Sequence, residues 1–301
     1  MTDTSTTVQP QVAASPGRVR IDSPWRQVSR RFRKNALAMI GLVMLTILCA
    51  AALLAPIIAP YKPTAIDLYN VQAAPSKDHL LGTDELGRDA LTRLLYGSRV
   101  SISVGLLATA LSTAIGVVVG AVAGYYGGLV DNLLMRFVDV MLSFPTLFLL
   151  IILAAYFKTT VLGVMVIIGL TGWMSVARLV RGEFLSLKEK EFTEAARALG
   201  FSDARIIFRH ILPNAMAPVI VSATLNVGYA IIYESALSFL GVGIQPPAAS
   251  WGNMLTNAQD YIWNAPWLAI WPGAMIFLTV LAFNFIGDGL RDALDPRLKD
   301  R

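Results

Sequence analysis

Asn226, Glu234 and Ser238 recur at multiples of four residues along one apolar stretch, with Ala230 between them. A helix there would carry a polar stripe on one face. Such a stripe can line a passage for a polar solute, or it can hydrogen-bond a neighbouring helix. A charge near the middle of a membrane span costs about 2.5–3.5 kcal/mol on insertion scales, so Glu234 must face protein or water in either case. Sequence alone leaves both readings open. Arg136 and Asp139, three residues apart, read as an internal ion pair.

Other reactive chemistry is sparse. His79 and His210 are far apart and fall on opposite sides of the predicted membrane, so they suggest no metal site. Cys49 is the lone cysteine and can form no internal disulfide. No Gly-x-x-x-x-Gly-Lys-Ser/Thr loop occurs, so the chain has no phosphate cradle of that kind. No Ser/His/Asp set is placed for catalysis. The expectation is a non-enzyme, with no catalytic residue and no directly bound cofactor or metal.

The elements that position these residues are membrane spans. The 301 residues are 55% hydrophobic and only 15% charged, against about 25% charged in soluble chains. Six apolar runs approach the roughly 20 residues that cross a bilayer as helix: 36–58, 101–123, 133–156, 161–180, 218–242 and 268–286. The fold class is therefore an all-α integral membrane protein, embedded in a lipid bilayer. The long polar lead and long first apolar run predict an uncleaved first span rather than a signal peptide.

Orientation follows from Lys and Arg. Seven lie in the N-terminal segment 1–34, one at Arg136, seven between Arg178 and Asn214 and four in the tail, against five in 60–100 and one at Lys158. This asymmetry predicts both termini inside. The same rule accounts for the net charge of +5 without nucleic acid as a partner. Trp251, Tyr261, Trp263, Trp267 and Trp271 read as an interfacial aromatic belt, with substrate contact as the alternative. Gly116, Gly120 and Gly124 form a small-residue stripe, first for internal packing and second for a dimer seam. Pro145, Pro218 and Pro272 predict kinks or helix starts.

The loop at about 181–214 is charged and lies between two apolar runs. A helix is predicted over 188–199, with Phe192, Ala195, Ala196 and Leu199 as a small apolar face. Gly200 suits a left-handed cap, Ser202 can N-cap a second helix over 203–212, and Pro213 should stop it. This compact knob can dock a soluble partner or lie on the membrane.

Glu194-Ala195-Ala196, Gly200 and Leu212-Pro213 resemble the EAA loop of ABC-importer permeases; His210 occupies the usual isoleucine slot, with Ile211 beside it. Leu81-Gly82-Thr83-Asp84, Gly87-Arg88-Asp89, Arg93, Gly97, Arg99, Phe239-Leu240-Gly241, Pro246-Pro247 with Trp251-Gly252, and the tail from Gly287 to Pro296 are similar to C-type permeases of dipeptide and oligopeptide systems.

The resemblance implies a six-helix type I importer permease. Residues 35–100 would form the first span and outer loop, 101–290 a five-helix core, and 291–301 a tail. It implies a heterodimer with a B-type permease, two ABC ATPase subunits that use ATP and Mg, and an extracytoplasmic binding protein, working by alternating access. Glu194 would anchor the ATPase dock, Ala195 and Ala196 would allow close contact, and Gly200 would turn the loop. Asp84, Arg88, Asp89 and Arg99, expected on an amphipathic surface helix capped by Thr83 or Asp84, would be outer-gate candidates. Dipeptides or oligopeptides are the expected substrates, with glutathione or nickel complexes as alternatives. A stand-alone ion-coupled transporter centred on Glu234, or a non-transporting scaffold, are the competing classes.

Overall fold

The computed structural model describes residues 24–157, 160–256 and 258–295. Lys158, residues 1–23 of the N-terminal segment and residues 296–301 of the tail, Pro296 included, lie outside the described residues.

Among the described residues ten helices follow one another: α1 (Pro24–Lys34), α2 (Ala36–Ile58), α3 (Ala90–Tyr126), α4 (Gly128–Leu142), α5 (Thr146–Tyr156), α6 (Val161–Lys188), α7 (Glu191–Ala198), α8 (Asp203–Phe239), α9 (Trp251–Leu255) and α10 (Trp267–Leu294). Five of them are long and apolar enough to cross a membrane, and α4 with α5, bent by 84°, makes a sixth if the pair is one broken span. Asn35 caps α2 by accepting the Ala38 N–H, and Thr160 caps α6 by accepting that of Gly163.

The most extensive interface is α3 against α6. It rests on the glycine stripe: a Cβ on Gly116 would sit 2.6 Å from the Val176 Cβ, and one on Gly124 would sit 2.6 Å from the Phe184 Cβ. The stripe is thus spent on packing within the chain, where close backbone approach strengthens dispersion contacts. α10 packs on α2 and α8, and α8 also packs on α3.

Several elements depart from expectation. Residues 90–99 form no separate surface helix; they are the first turns of α3, with Thr92, Arg93, Leu94, Gly97 and Ser98 buried. The cap is Asp89, whose carboxylate accepts the Thr92 N–H at 2.8 Å. Pro145 ends the third crossing half-way, whereas Pro218 and Pro272 lie inside helices that run on. Pro213 does not stop a helix either, because it occupies the first turn of the segment that continues to Phe239. Ahead of it, Ile206–Ile211 forms a π-helical turn. The wider turn brings residues five apart to one side, so Ile206 and Ile211 are both buried. Trp251 is no belt residue: it is fully buried among Leu48, Ile102, Ile231 and Phe283. Asp139 pairs with Arg178 of α6 rather than with Arg136, because α4 lies beside the end of α6.

Candidate functional site: a docking knob, a mid-depth cavity and two buried polar clusters

The loop after α6 folds into a knob. α7 ends in a Schellman arrangement: the Gly200 N–H reaches the Arg197 carbonyl at 3.0 Å, and the Phe201 N–H reaches the Ala196 carbonyl at 3.2 Å. Gly200 has φ +74°, the left-handed conformation this motif needs. Thr193 and Ala196 are buried; Thr193 donates its hydroxyl to the Leu187 carbonyl at 2.8 Å, and Ala196 joins Tyr125, Val180, Phe184, Ile206 and Ile211 in one core. Phe192, Glu194, Ala195 and Leu199 are exposed.

The expected apolar face is therefore divided. Ala196 anchors the helix to its own chain, while Phe192, Ala195 and Leu199 point away from it. Gly200 has open space around it, Leu212 is half-buried and Pro213 is exposed. Ser202 holds the cap position without a side-chain bond. Instead Asp203 accepts from the Tyr125 hydroxyl at 2.5 Å, and Lys188 donates to the Tyr125 carbonyl at 2.6 Å. These bonds clamp the knob to the end of α3. Two ion pairs tie the same end to α4: Arg181 to Asp131 with two contacts of 2.5 and 2.6 Å, and Arg178 to Asp139. No local spacing marks the Asp131–Arg181 pair, whose partners are 50 residues apart.

About half-way along α3 a cavity of about 230 Å³ opens between α3, α6, α8 and the α4–α5 break. Thr109, Ser112, Thr146, Thr171, Ser175 and Asn226 line it together with Tyr229 and Tyr233. Of the three polar residues of the predicted stripe only Asn226 reaches it, with Ala230 beside it. Glu234 is fully buried elsewhere: its carboxylate accepts the Ser101 and Ser238 hydroxyls, each at 2.9 Å. Those serines in turn accept the N–H groups of Trp251 at 3.1 Å and Ile244 at 3.0 Å. Glu234 and Ser238 thus stitch α8 to α3 and to the segment leading into α9. Hydroxyls three and four residues apart, Thr109 with Ser112 and Thr171 with Ser175, are the signal by which sequence could have found the cavity.

At the end opposite the knob, Asp84, Arg88 and Asp89 are buried in one network. The Arg88 Nε donates to Asp84 at 2.7 Å and its Nη2 to Glu85 at 2.8 Å, while the Arg93 Nε lies 3.3 Å from Asp84. His79 meets Asp89 at 3.0 Å. Trp267 donates its indole N–H to the Thr83 carbonyl at 3.3 Å. Arg99 is apart from this network, exposed and over the Tyr96 ring at 6.0 Å. Nearby, the Asn70 side chain and then the Tyr69 N–H hold the Asp67 carboxyl below the usual carboxylate range.

Five or six apolar crossings, a broken span around a polar cavity and a knob on one end define a polytopic helical membrane component of a transport system. The chain belongs to the family of binding-protein-dependent transport system inner membrane components, whose model matches residues 116–300. A second model, the N-terminal TM domain of oligopeptide transport permease C, matches residues 23–75. The chain is 43% identical over 92% of its length to the dipeptide transport system permease protein DppC of Alkalihalophilus pseudofirmus, covering 91% of that protein. It is 46% identical over 93% of its length to the oligopeptide transport system permease protein OppC of Escherichia coli K12, covering 92% of it. In fold it resembles a chain of the inward-facing MetNI methionine ABC transporter, with TM-score 0.56 and 18% identity over 67% of this chain and 97% of that one.

Proposed function

We propose that this chain is one permease subunit of an ATP-driven importer for dipeptides or oligopeptides. The observation that carries the reading is the knob: an α7 whose inner face is locked to the core while Phe192, Glu194, Ala195 and Leu199 stand exposed. That geometry suits a surface gripped by a partner that pulls. Two ATPase subunits that consume ATP and Mg would hold it, with both chain termini on their side of the membrane. A similar permease would complete the passage, and a binding protein would deliver substrate at the end carrying Asp84, Arg88 and Asp89. The names of relatives 43% and 46% identical support peptide as the substrate.

Against a stand-alone ion-coupled transporter stands the position of Glu234, enclosed by serines and outside the cavity. Affinity purification of the tagged chain from native membranes, followed by mass spectrometry, tests the assembly. A second permease and one or two ATPases should co-purify in stoichiometric amounts. Recovery of the chain alone, under conditions that keep known ABC complexes intact, would overturn it. ATP-dependent uptake by the reconstituted complex of tripeptide, glutathione and a nickel complex in parallel decides the substrate.

A further inference from the structure

We propose that the mid-depth cavity is a subsite for the neutral amide groups of a peptide backbone, and that it leaves the charged ends of the peptide elsewhere. The proposal rests on the peptide-importer reading above.

The lining carries no charged side chain. An ionised amine or carboxylate brought there would lose hydration without gaining a counter-charge, which disfavours it strongly. The hydrogen-bonding pattern is more specific. Ser112 donates its hydroxyl to the Thr109 carbonyl at 3.0 Å, and Thr171 donates to the Ile167 carbonyl at 2.9 Å. Each hydroxyl proton is engaged within its own helix, so these residues offer oxygen lone pairs to the cavity, which suit an incoming N–H. Thr109 lines the same space, is 5% exposed, and its hydroxyl has no partner. A buried hydroxyl left unmade is costly, and this one can either donate or accept.

Thr146 lies in the lining too, at the start of α5, where Pro145 holds the cap position without a side-chain bond. First-turn N–H groups of a helix are natural donors to a carbonyl. A secondary amide presents both an N–H and a C=O and matches this set. About 230 Å³ within this subunit alone, below the roughly 300–1,000 Å³ of pockets that enclose whole ligands, is this chain's share of the passage and has room for a segment of a peptide. Non-helical backbone at membrane depth is tolerated where it lines a wet cavity, and the α4–α5 break adjoins this one.

The test uses the full complex in proteoliposomes with its binding protein saturated. Uptake of trialanine is compared with that of its analogue methylated on both amide nitrogens. Thr109→Val and Ser112→Ala should each lower trialanine uptake about three- to tenfold, the size of one neutral hydrogen bond. Uptake of the methylated peptide should start lower and fall less than twofold. Equal losses for both peptides, or no loss in assembled complexes, would overturn the subsite.

If a variant does not assemble, labelling replaces it. Ser175→Cys in a Cys49→Ser background is alkylated by a neutral maleimide during turnover, with and without tripeptide. Protection by peptide supports the site, and unchanged labelling overturns it. Absence of ATP-dependent peptide uptake in the wild type would overturn the peptide reading and this site with it. Wild-type uptake beside indifferent variants overturns the site alone.

Discussion

Ser101 of α3 donates its hydroxyl to Glu234 of α8, 133 residues away, and accepts the backbone N–H of Trp251 with the same oxygen. One serine therefore joins three separate elements. Glu234 is the acceptor on which the junction depends, and it also holds Ser238. Glu234→Leu leaves two hydroxyls without their acceptor, a loss of about 1–3 kcal/mol. We expect a lower melting temperature and poor recovery of the complex. Glu234→Gln, which keeps an acceptor, should assemble. Thermal denaturation of purified complexes checks this, and a stable Glu234→Leu complex that cannot transport would show that the carboxylate acts on the passage instead.

Glu194→Lys should leave the chain folded, because Glu194 is exposed on α7. It should break the link between hydrolysis and uptake. The ratio of peptide imported to ATP consumed is the readout, with a drop of tenfold or more expected. An unchanged ratio would remove Glu194 from the dock.

Gly200→Val acts through the backbone. No atom crowds the position, but φ is +74° there. The cost is about 1–2 kcal/mol of left-handed strain, concentrated at the cap of α7. Assembly with the ATPases should weaken while the membrane core keeps its melting behaviour. Gly200→Asn, which tolerates this conformation better, should fall between the two.

The Asp131–Arg181 pair joins α4 to the last turns of α6, just before the knob. Arg181 is partly exposed, so the pair adds no more than about 1 kcal/mol to stability. Its larger effect should be mechanical. Arg181→Asp should reduce uptake about three- to tenfold with little change in basal hydrolysis. The exchanged pair, Asp131→Arg with Arg181→Asp, should recover much of it. Failure of the exchange to restore uptake, in complexes that assemble normally, would separate the pair from the transmission of movement.

Gly120→Leu tests the packing of α3 on α6. A Cβ there already collides with the backbone at Ala177 and with Val180. Overpacking costs about 1–3 kcal/mol or more. The folded chain should fall below detection in membranes, and Gly182→Ala, with nothing nearby and an ordinary helical backbone, serves as the milder comparison.

Much of this was legible in the sequence because apolar length and glycine spacing are local signals. The spans, the cap at Gly200 and the turn after Ala198 follow from them. What escaped depended on contacts between distant residues. Residues 90–99 look amphipathic, yet Arg93 can be buried because Asp84 lies beside it in space. Three internal prolines look alike, and only the surroundings of Pro145 let the chain turn. Ala195 and Ala196 are equivalent as letters; the core of Val180 and Phe184 decides which one faces in. The stripe of Asn226, Glu234 and Ser238 was visible, but its division between cavity and junction required Ser101.

The break at Pro145 also bears on how the chain enters the bilayer. α4 has 15 residues and α5 has 11. At 1.5 Å per residue these pieces reach about 22 and 16 Å, short of the roughly 30 Å of hydrocarbon. Neither piece can settle alone, and α4 carries Asp131, Arg136 and Asp139 as well. Arg178 and Arg181 of α6 meet two of these charges, Asp139 and Asp131, so the comfort of this bent stretch in lipid depends on the helix that follows it.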